Sequence, residues 1–333
     1  MRLLFIGPTY IGDAAIATGL LDYLLKQYPE GRVTIVSGPA AAPLFHAVPN
    51  LDRVIPIKKR GAIGHWLDLW RMFSGTSWDV IVDLRGSALA WFLRARQRHI
   101  FRPRRQATHR TQALAATLGL ADLPAPVMWT SATDEEAARL LVPPGPAVLA
   151  LGPTGNWPPK LWPADRFAEL ARRLTTQPGV LHNARIAVIA AEHERPIVEP
   201  LLAALPTDRT IDLVGRLSLP GVCAALKRSA LFIGNDSGPL YLAVACGTPA
   251  VGLFGPTPGL FGPPVGDIPA PWAPKVAAVR TAESAATVTD TPVGGPLGWR
   301  LMDGLTIDFV EQAARKLLAR LPQGSELPTQ PNG

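Results

Sequence analysis

Residues 230–259, ALFIGNDSGPLYLAVACGTPAVGLFGPTPG, leave this chain little choice but a parallel α/β sheet. Leu231-Phe232-Ile233 reads as a buried strand, and Ala250-Val251-Gly252-Leu253-Phe254 as a second one. Between them Asn235-Asp236-Ser237-Gly238 is a polar turn, a short helix starts near Pro239, and Gly247-Thr248-Pro249 ends it. Free N–H groups and the positive end of the dipole at such a helix start suit a phosphate, with Ser237 as cap and ligand. Gly255-Pro256-Thr257 then lies at the carboxyl end of a strand, where open α/β sheets bind ligands.

The same alternation runs through the rest of the chain. In the first half, strands are expected at Leu3–Ile6, Val33–Ser37, Val54–Ile57 and Val80–Leu84, and helices at Ala14–Gln27, near Ala42, at His65–Phe73, from Ser87 to Arg96 and from Thr108 to Leu118. Pro143-Pro144-Gly145-Pro146 reads as a linker. Beyond it come strands at Ala147–Leu151, Ile186–Ala190 and Thr210–Leu213, and helices at Ala164–Thr175, Pro196–Leu205 and Leu219–Lys227. Two Rossmann-like, doubly wound parallel-sheet domains are expected, over residues 1–145 and 146–305. An amphipathic helix over 306–321 is expected to pack back toward the first domain, with a disordered tail over 322–333.

Charge is unevenly placed. Residues 1–140 hold 17 of the 33 Lys/Arg but only 11 of the 26 Asp/Glu. Lys58-Lys59-Arg60 and the acid-free run Arg94, Arg96, Arg98, Arg102, Arg104, Arg105, Arg110 account for the excess. Such patches are either a solvated face or a site for phosphorylated substrates or anionic lipid, and no nucleic-acid module accompanies them. The amino-terminal apolar run is one strand long before Asp13, too short for a signal peptide or a spanning helix, so a cytoplasmic protein is expected. Cys223 and Cys246 sit in apolar helical surroundings with neither a disulfide framework nor a zinc spacing.

Polar residues gather at the carboxyl ends of the expected strands. Gly7-Pro8-Thr9-Tyr10-Ile11-Gly12-Asp13 follows the first strand without a G-x-G-x-x-G fingerprint, which argues against a dehydrogenase. Asp13 there is either an ordinary helix N-cap or a site carboxylate. Gly152-Pro153-Thr154-Gly155-Asn156-Trp157-Pro158-Pro159-Lys160-Leu161-Trp162-Pro163 follows the first strand of the second domain, and Lys160 is either an exposed surface lysine or a phosphate ligand. Glu192, after the next strand, could accept hydrogen bonds from a ribose or base. His193 beside Glu194 lacks the ligand count of a zinc site, and no metal is expected. Asn235 stands where the G-x-S-x-G elbow needs its first glycine, so Ser237 is not a nucleophile.

With these residues in view, the chain resembles glycosyltransferase family 9, the ADP-heptose heptosyltransferases of lipopolysaccharide core assembly. The likeness is carried by MRLLFIGPTYIGD at the amino terminus, RVIPIKKR at 53–60, DVIVDLRG at 79–86, KLWPADRFAEL at 160–170, LVGRLSLPGVCAAL at 213–226 and, above all, NDSGPLYLAVACGTPAVGLFGPT. The resemblance implies a GT-B fold, two Rossmann-like domains facing across a cleft, and inverting, metal-independent sugar transfer without a cofactor. It implies Asp13 as general base, Lys160 on the donor phosphate and Glu192 on the nucleoside. Thr154, Asp236, Ser237, Gly238, Pro239 and Tyr241 complete the donor site, and Lys58, Lys59, Arg60 and Arg85 the acceptor site. The implied partners are a nucleotide-diphosphate sugar, an anionic lipid-linked glycan and, peripherally, the inner face of the inner membrane.

Tyr241 departs from the family, which usually has His there, and Arg85 stands where Gln is common. A tyrosine donates a neutral hydrogen bond but carries no imidazolium charge. The sugar and nucleotide are therefore left open, as are a non-catalytic nucleotide-sugar-binding relative and a nucleotide-sugar isomerase on the same fold.

Overall fold

The computed structural model describes residues 1–58, 64–102, 110–255, 275–280 and 302–321. They divide into two compact units, 1–129 and 130–333. In the first, β1 (Arg2–Ile6), β2 (Arg32–Ser37), β3 (Leu51–Pro56), β4 (Ser77–Asp83) and β5 (Arg94–Ile100) form a sheet of order β3-β2-β1-β4-β5 with every pairing parallel. In the second, β6 (Val148–Gly152), β7 (Arg185–Val188), β8 (Thr210–Asp212), β9 (Leu231–Asn235), β10 (Ala250–Phe254) and β11 (Val276–Arg280) form another, of order β11-β10-β9-β6-β7-β8, again all parallel. Strand order reverses between β1 and β4 in one sheet and between β6 and β9 in the other. Those two points are where such sheets bind ligands.

The inner strands β1, β6, β9 and β10 are buried, their sequences being largely continuous apolar runs, as strands covered by helices on both faces must be. β1 buries Leu3, Leu4, Phe5 and Ile6 completely, and β9 does the same with Leu231, Phe232 and Ile233. Helices α1 (Ile11–Gln27), α2 (Gly64–Phe73), α3 (Leu89–Phe92) and α4 (Arg110–Thr117) belong to the first unit. Helices α5 (Ala132–Leu141), α6 (Ala164–Thr175), α7 (Arg195–Ala204), α8 (Leu219–Lys227), α9 (Gly238–Ala245) and α10 (Ile307–Arg320) belong to the second.

Two expectations about organisation change. The helix read over Ser87–Arg96 shrinks to α3, and β5 replaces the rest. Its sequence, RARQRHI, places arginine at every second position, and Arg94 and Arg96 are exposed on this sheet-edge strand, where charge protects it from further pairing. The division between units falls at 129/130 rather than 145/146, because α5, invisible in the expected pattern, packs on α8. Lys227 Nζ donates to Thr130 Oγ1 at 2.6 Å and Arg228 Nε to the Val142 carbonyl at 2.8 Å, tying that helix to the second unit. Within the second unit, Val310, Ala314 and Leu317 of α10 enter the core, and Arg173 of α6 pairs with Asp308 at 2.6 Å. The tail over 322–333 lies outside the described residues.

The end of the first unit is docked on the middle of α1. Thr18, fully buried, accepts from Val127 N–H at 3.0 Å, and a β-carbon on Gly19 would come within 2.2 Å of the Pro124 carbonyl oxygen. Gly19→Ala is therefore expected to destabilise the first unit by about 1–3 kcal/mol through overpacking, despite alanine's better helix propensity. Chemical denaturation of the variant against the wild type checks it, and a gain in stability would refute the packing argument.

Candidate functional site

The second sheet's switch point is organised by one side chain. Asn235, the last residue of β9, is fully buried, its Nδ2 donating to the Pro153 carbonyl at 2.7 Å and its Oδ1 accepting from Trp162 N–H at 3.2 Å. Those partners stand at either end of the Gly/Pro/Trp-rich loop that leaves β6. Trp162 fixes the far end further, donating its indole N–H to the Leu305 carbonyl at 2.8 Å and meeting Phe167 edge-on at 5.0 Å. Within the loop so held, a short 3₁₀ turn over Pro158–Lys160 sets Lys160 Nζ 2.6 Å from Asp236 Oδ2.

Asp236 itself is buried and takes a second charge-assisted bond, from the Tyr241 hydroxyl to Oδ1 at 2.6 Å. Tyr241 thus orients the carboxylate. Ser237 is the N-cap residue of α9 in extended backbone, followed by Gly238 and Pro239. Its side chain was expected to cap the helix and does not: Ser237 Oγ is buried and has no hydrogen-bond partner among the described residues. An ammonium and an uncommitted hydroxyl therefore stand at the positive end of a helix.

Thr154 Oγ1, buried, donates to Glu194 Oε2 at 3.0 Å, and the same oxygen accepts from Ala191 N–H at 2.9 Å. This joins the loops after β6 and β7. Glu192 is exposed beside them, paired with Arg195 at 3.2 Å. It rests against Gly215, whose φ is +67° and whose added β-carbon would lie 2.2 Å from Glu192 Oε2, which is why the segment after β8 needs a glycine there.

At the first sheet's switch point, Ile6 and Asp83 are register partners, so the segments following β1 and β4 leave adjacent strand ends. Asp13 follows β1 as the third residue of α1; Tyr10 is the N-cap, so the N-cap reading of Asp13 is corrected, and its carboxylate lies in the first turn, where the helix dipole favours negative charge. Asp83 is fully buried and accepts from Ser87 Oγ at 2.6 Å, Ser87 N–H at 2.8 Å and Arg85 N–H at 2.9 Å. Burial still pushes its carboxyl above the usual range, against those bonds. The Arg85 guanidinium lies 5.0 Å from the Trp66 ring centre, burial lowers its pKa against the opposing pull of Asp83, and its Nη1 has no partner among the described residues. Lys58 is exposed after β3, and Lys59 and Arg60 lie outside the described residues.

The nominated residues therefore fall into two groups, one per sheet. Sequence reading passed over Asn235 as a ligand of the loop, Glu194 as the partner of Thr154, and Asp83 and Trp66 as the setting of Arg85. Among the described residues no three His, Cys, Asp or Glu side chains are grouped to hold a metal ion, and no helix is long and apolar enough to cross a membrane.

Two all-parallel α/β units of this kind have the architecture of the GT-B fold. Within that fold class the chain belongs to glycosyltransferase family 9 (heptosyltransferase), whose model matches residues 73–292. It is 23% identical over 305 residues to lipopolysaccharide heptosyltransferase 2 of Salmonella typhimurium, covering 80% of this chain and 86% of that protein. It is likewise 23% identical over 272 residues to the lipopolysaccharide core heptosyltransferase OpsX of Haemophilus influenzae, covering 73% and 76%. Among solved structures, the family 9 glycosyltransferase of Veillonella parvula superposes with a TM-score of 0.74 at 20% identity over 96% of this chain and 97% of that one. The ADP-heptose lps heptosyltransferase II of E. coli gives 0.71 at 19% identity over 96% and 99%.

Asn235→Ala removes both bonds that close the Pro153–Trp162 loop and leaves a buried carbonyl and a buried N–H without their partner. A loss of about 1–3 kcal/mol is expected, read as a lower melting temperature. An unchanged melting temperature would mean that the loop does not depend on Asn235.

Proposed function

We propose that this protein is an inverting, metal-independent glycosyltransferase that moves heptose or a related sugar from a nucleotide diphosphate to a lipopolysaccharide core or other anionic lipid-linked acceptor. The observation that carries the reading is the start of α9, where Lys160, Asp236 and the uncommitted Ser237 hydroxyl converge. A donor diphosphate bound there takes up the Ser237 hydroxyl and shares the Lys160 ammonium with Asp236, so the leaving group's growing charge meets donors already in place. Thr154, Gly238, Pro239 and Tyr241 shape this donor site, and Glu192 binds the nucleoside. The E. coli heptosyltransferase WaaC with ADP-2-deoxy-2-fluoro heptose, TM-score 0.63 at 19% identity, supports an ADP-sugar as the first donor to try.

In this scheme Asp13, carried by the first unit, accepts the proton of the attacking hydroxyl, and a single displacement inverts the anomeric centre. Arg85, with its unpartnered Nη1, and the basic Lys58, Lys59 and Arg60 hold the acceptor's anionic groups. The protein acts in the cytoplasm, at the inner face of the membrane where its acceptor is anchored.

Asp13→Asn is expected to lower turnover about 100- to 10,000-fold, the usual worth of a general base, while calorimetric donor affinity stays within about twofold. Wild-type turnover in the folded variant would remove Asp13 from the mechanism. Transfer is expected to persist in excess EDTA, and loss reversed by added metal would overturn metal independence. Saturable donor binding without transfer to any delipidated core acceptor would make the protein a binding relative of the family.

A further inference from the structure

Two helices of the first unit leave large apolar side chains exposed among the described residues. Helix α2 buries His65, Leu69 and Phe73, a stripe at helical spacing, while Leu67 and Trp70, three residues apart, remain 45% and 42% exposed. Helix α3 packs beside it, buries Leu89 and Ala90, and leaves Trp91 58% and Phe92 72% exposed. One exposed apolar residue is ordinary, but four large ones on two packed helices are not.

Nor is this a frayed end. Arg98 of β5 donates to the carbonyls of Ala90 at 2.9 Å, Leu93 at 2.5 Å and Ala95 at 3.1 Å. A four-residue helix has no stability of its own, and here a guanidinium ties its carboxyl end to the sheet edge. Trp91 and Phe92 are thus presented on a fixed backbone.

The surrounding charge says what they face. Between Leu84 and Ala121 the sequence has eight arginines and no Asp or Glu. Of these, Arg94 and Arg96 are exposed on β5, directly after the aromatic pair. Arg71 is exposed on α2 itself, and the Arg53 guanidinium lies 5.8 Å from the Phe73 ring. Asp68, Asp79 and Asp52 pair loosely with Arg71, Arg96 and Arg53 at 3.7, 3.8 and 3.8 Å. Exposed aromatic side chains flanked by Arg71, Arg94 and Arg96 match the interface of an anionic bilayer, where tryptophan sits at headgroup level and arginine meets lipid phosphate.

We propose that the α2–α3 face docks the protein on an anionic lipid bilayer, with Leu67, Trp70, Trp91 and Phe92 entering the headgroup boundary and the arginines meeting lipid phosphates. The proposal rests on the lipid-linked acceptor reading for its purpose, and on geometry and charge for its location. The face also adjoins the proposed acceptor group, since Trp66 of α2 carries Arg85 on its ring.

The full chain is tested by co-sedimentation with vesicles of phosphatidylethanolamine and phosphatidylglycerol against pure phosphatidylcholine. Binding is expected to the anionic vesicles, weakening as salt rises. Trp91→Ser with Phe92→Ser should lower the partition coefficient at least about tenfold at unchanged melting temperature, and Trp70→Ser, on the neighbouring helix, should lower it independently. Wild-type vesicle binding by both variants overturns the proposal, as does a wild type that ignores anionic vesicles. Loss of a dimer in sedimentation velocity without loss of vesicle binding reassigns the face to a second copy. Transfer to a delipidated acceptor should be unaffected by these substitutions, and its absence in the wild type as well would defeat the transferase reading while leaving the vesicle result to stand.

Discussion

The two hydrogen bonds of Asn235 are the constraint on which the candidate donor site depends. A loop of glycines, prolines and tryptophans has no periodic hydrogen bonding of its own, so its backbone groups must be satisfied from outside. Asn235 does this at both ends at once, with its amide nitrogen on Pro153 and its amide oxygen on Trp162. Because Asn235 ends β9 and Asp236 follows it, the residue that holds the loop is next in sequence to the residue that receives Lys160. The loop and the helix start are thereby built to one register. An amide carries its donor and its acceptor on separate atoms of one side chain, and so serves both ends.

The charge at this site is balanced locally rather than left open. A buried carboxylate is costly unless paired, and Asp236 is paired twice, with an ammonium on one oxygen and a phenol on the other. A phosphate arriving beside Lys160 must therefore compete with Asp236, which holds the lysine in place. The first unit is arranged the other way. Asp83 spends its bonds on the turn that follows β4, Arg85 is left stacked on Trp66, and burial presses both groups toward neutrality. A guanidinium retains its charge through any such pressure, so an anion is its natural complement.

Much of this was legible in the sequence because continuous apolar runs, helix punctuation and polar clusters at strand ends are local signals. β1, β4, β6 and β9 were read within a few residues of their observed positions, and so were α6 and α8. Strand β5 was not, because its arginines hide a period of two in a stretch rich in alanine and leucine. Helix α5 was overlooked beside a conspicuous proline cluster, although Ser131 and Asp134 form a capping box that marks its start. Tertiary partners lay beyond local reading altogether. Nothing near Asn235 in sequence says that it closes a loop 82 residues earlier, and nothing near Thr154 names Glu194 as its acceptor.

Tyr241 shows how far a single departure from a family pattern can be interpreted. Read as a sequence, it was a lost imidazolium beside a diphosphate. In the fold its hydroxyl is turned onto Asp236, the carboxylate that also receives Lys160. A hydroxyl there donates to Asp236 without adding positive charge, so among the described residues the positive charge at this point comes from Lys160 and the helix start. Tyr241 therefore leaves Lys160 as the cation paired with Asp236 at this helix start, while Asn235 holds the loop that carries Lys160.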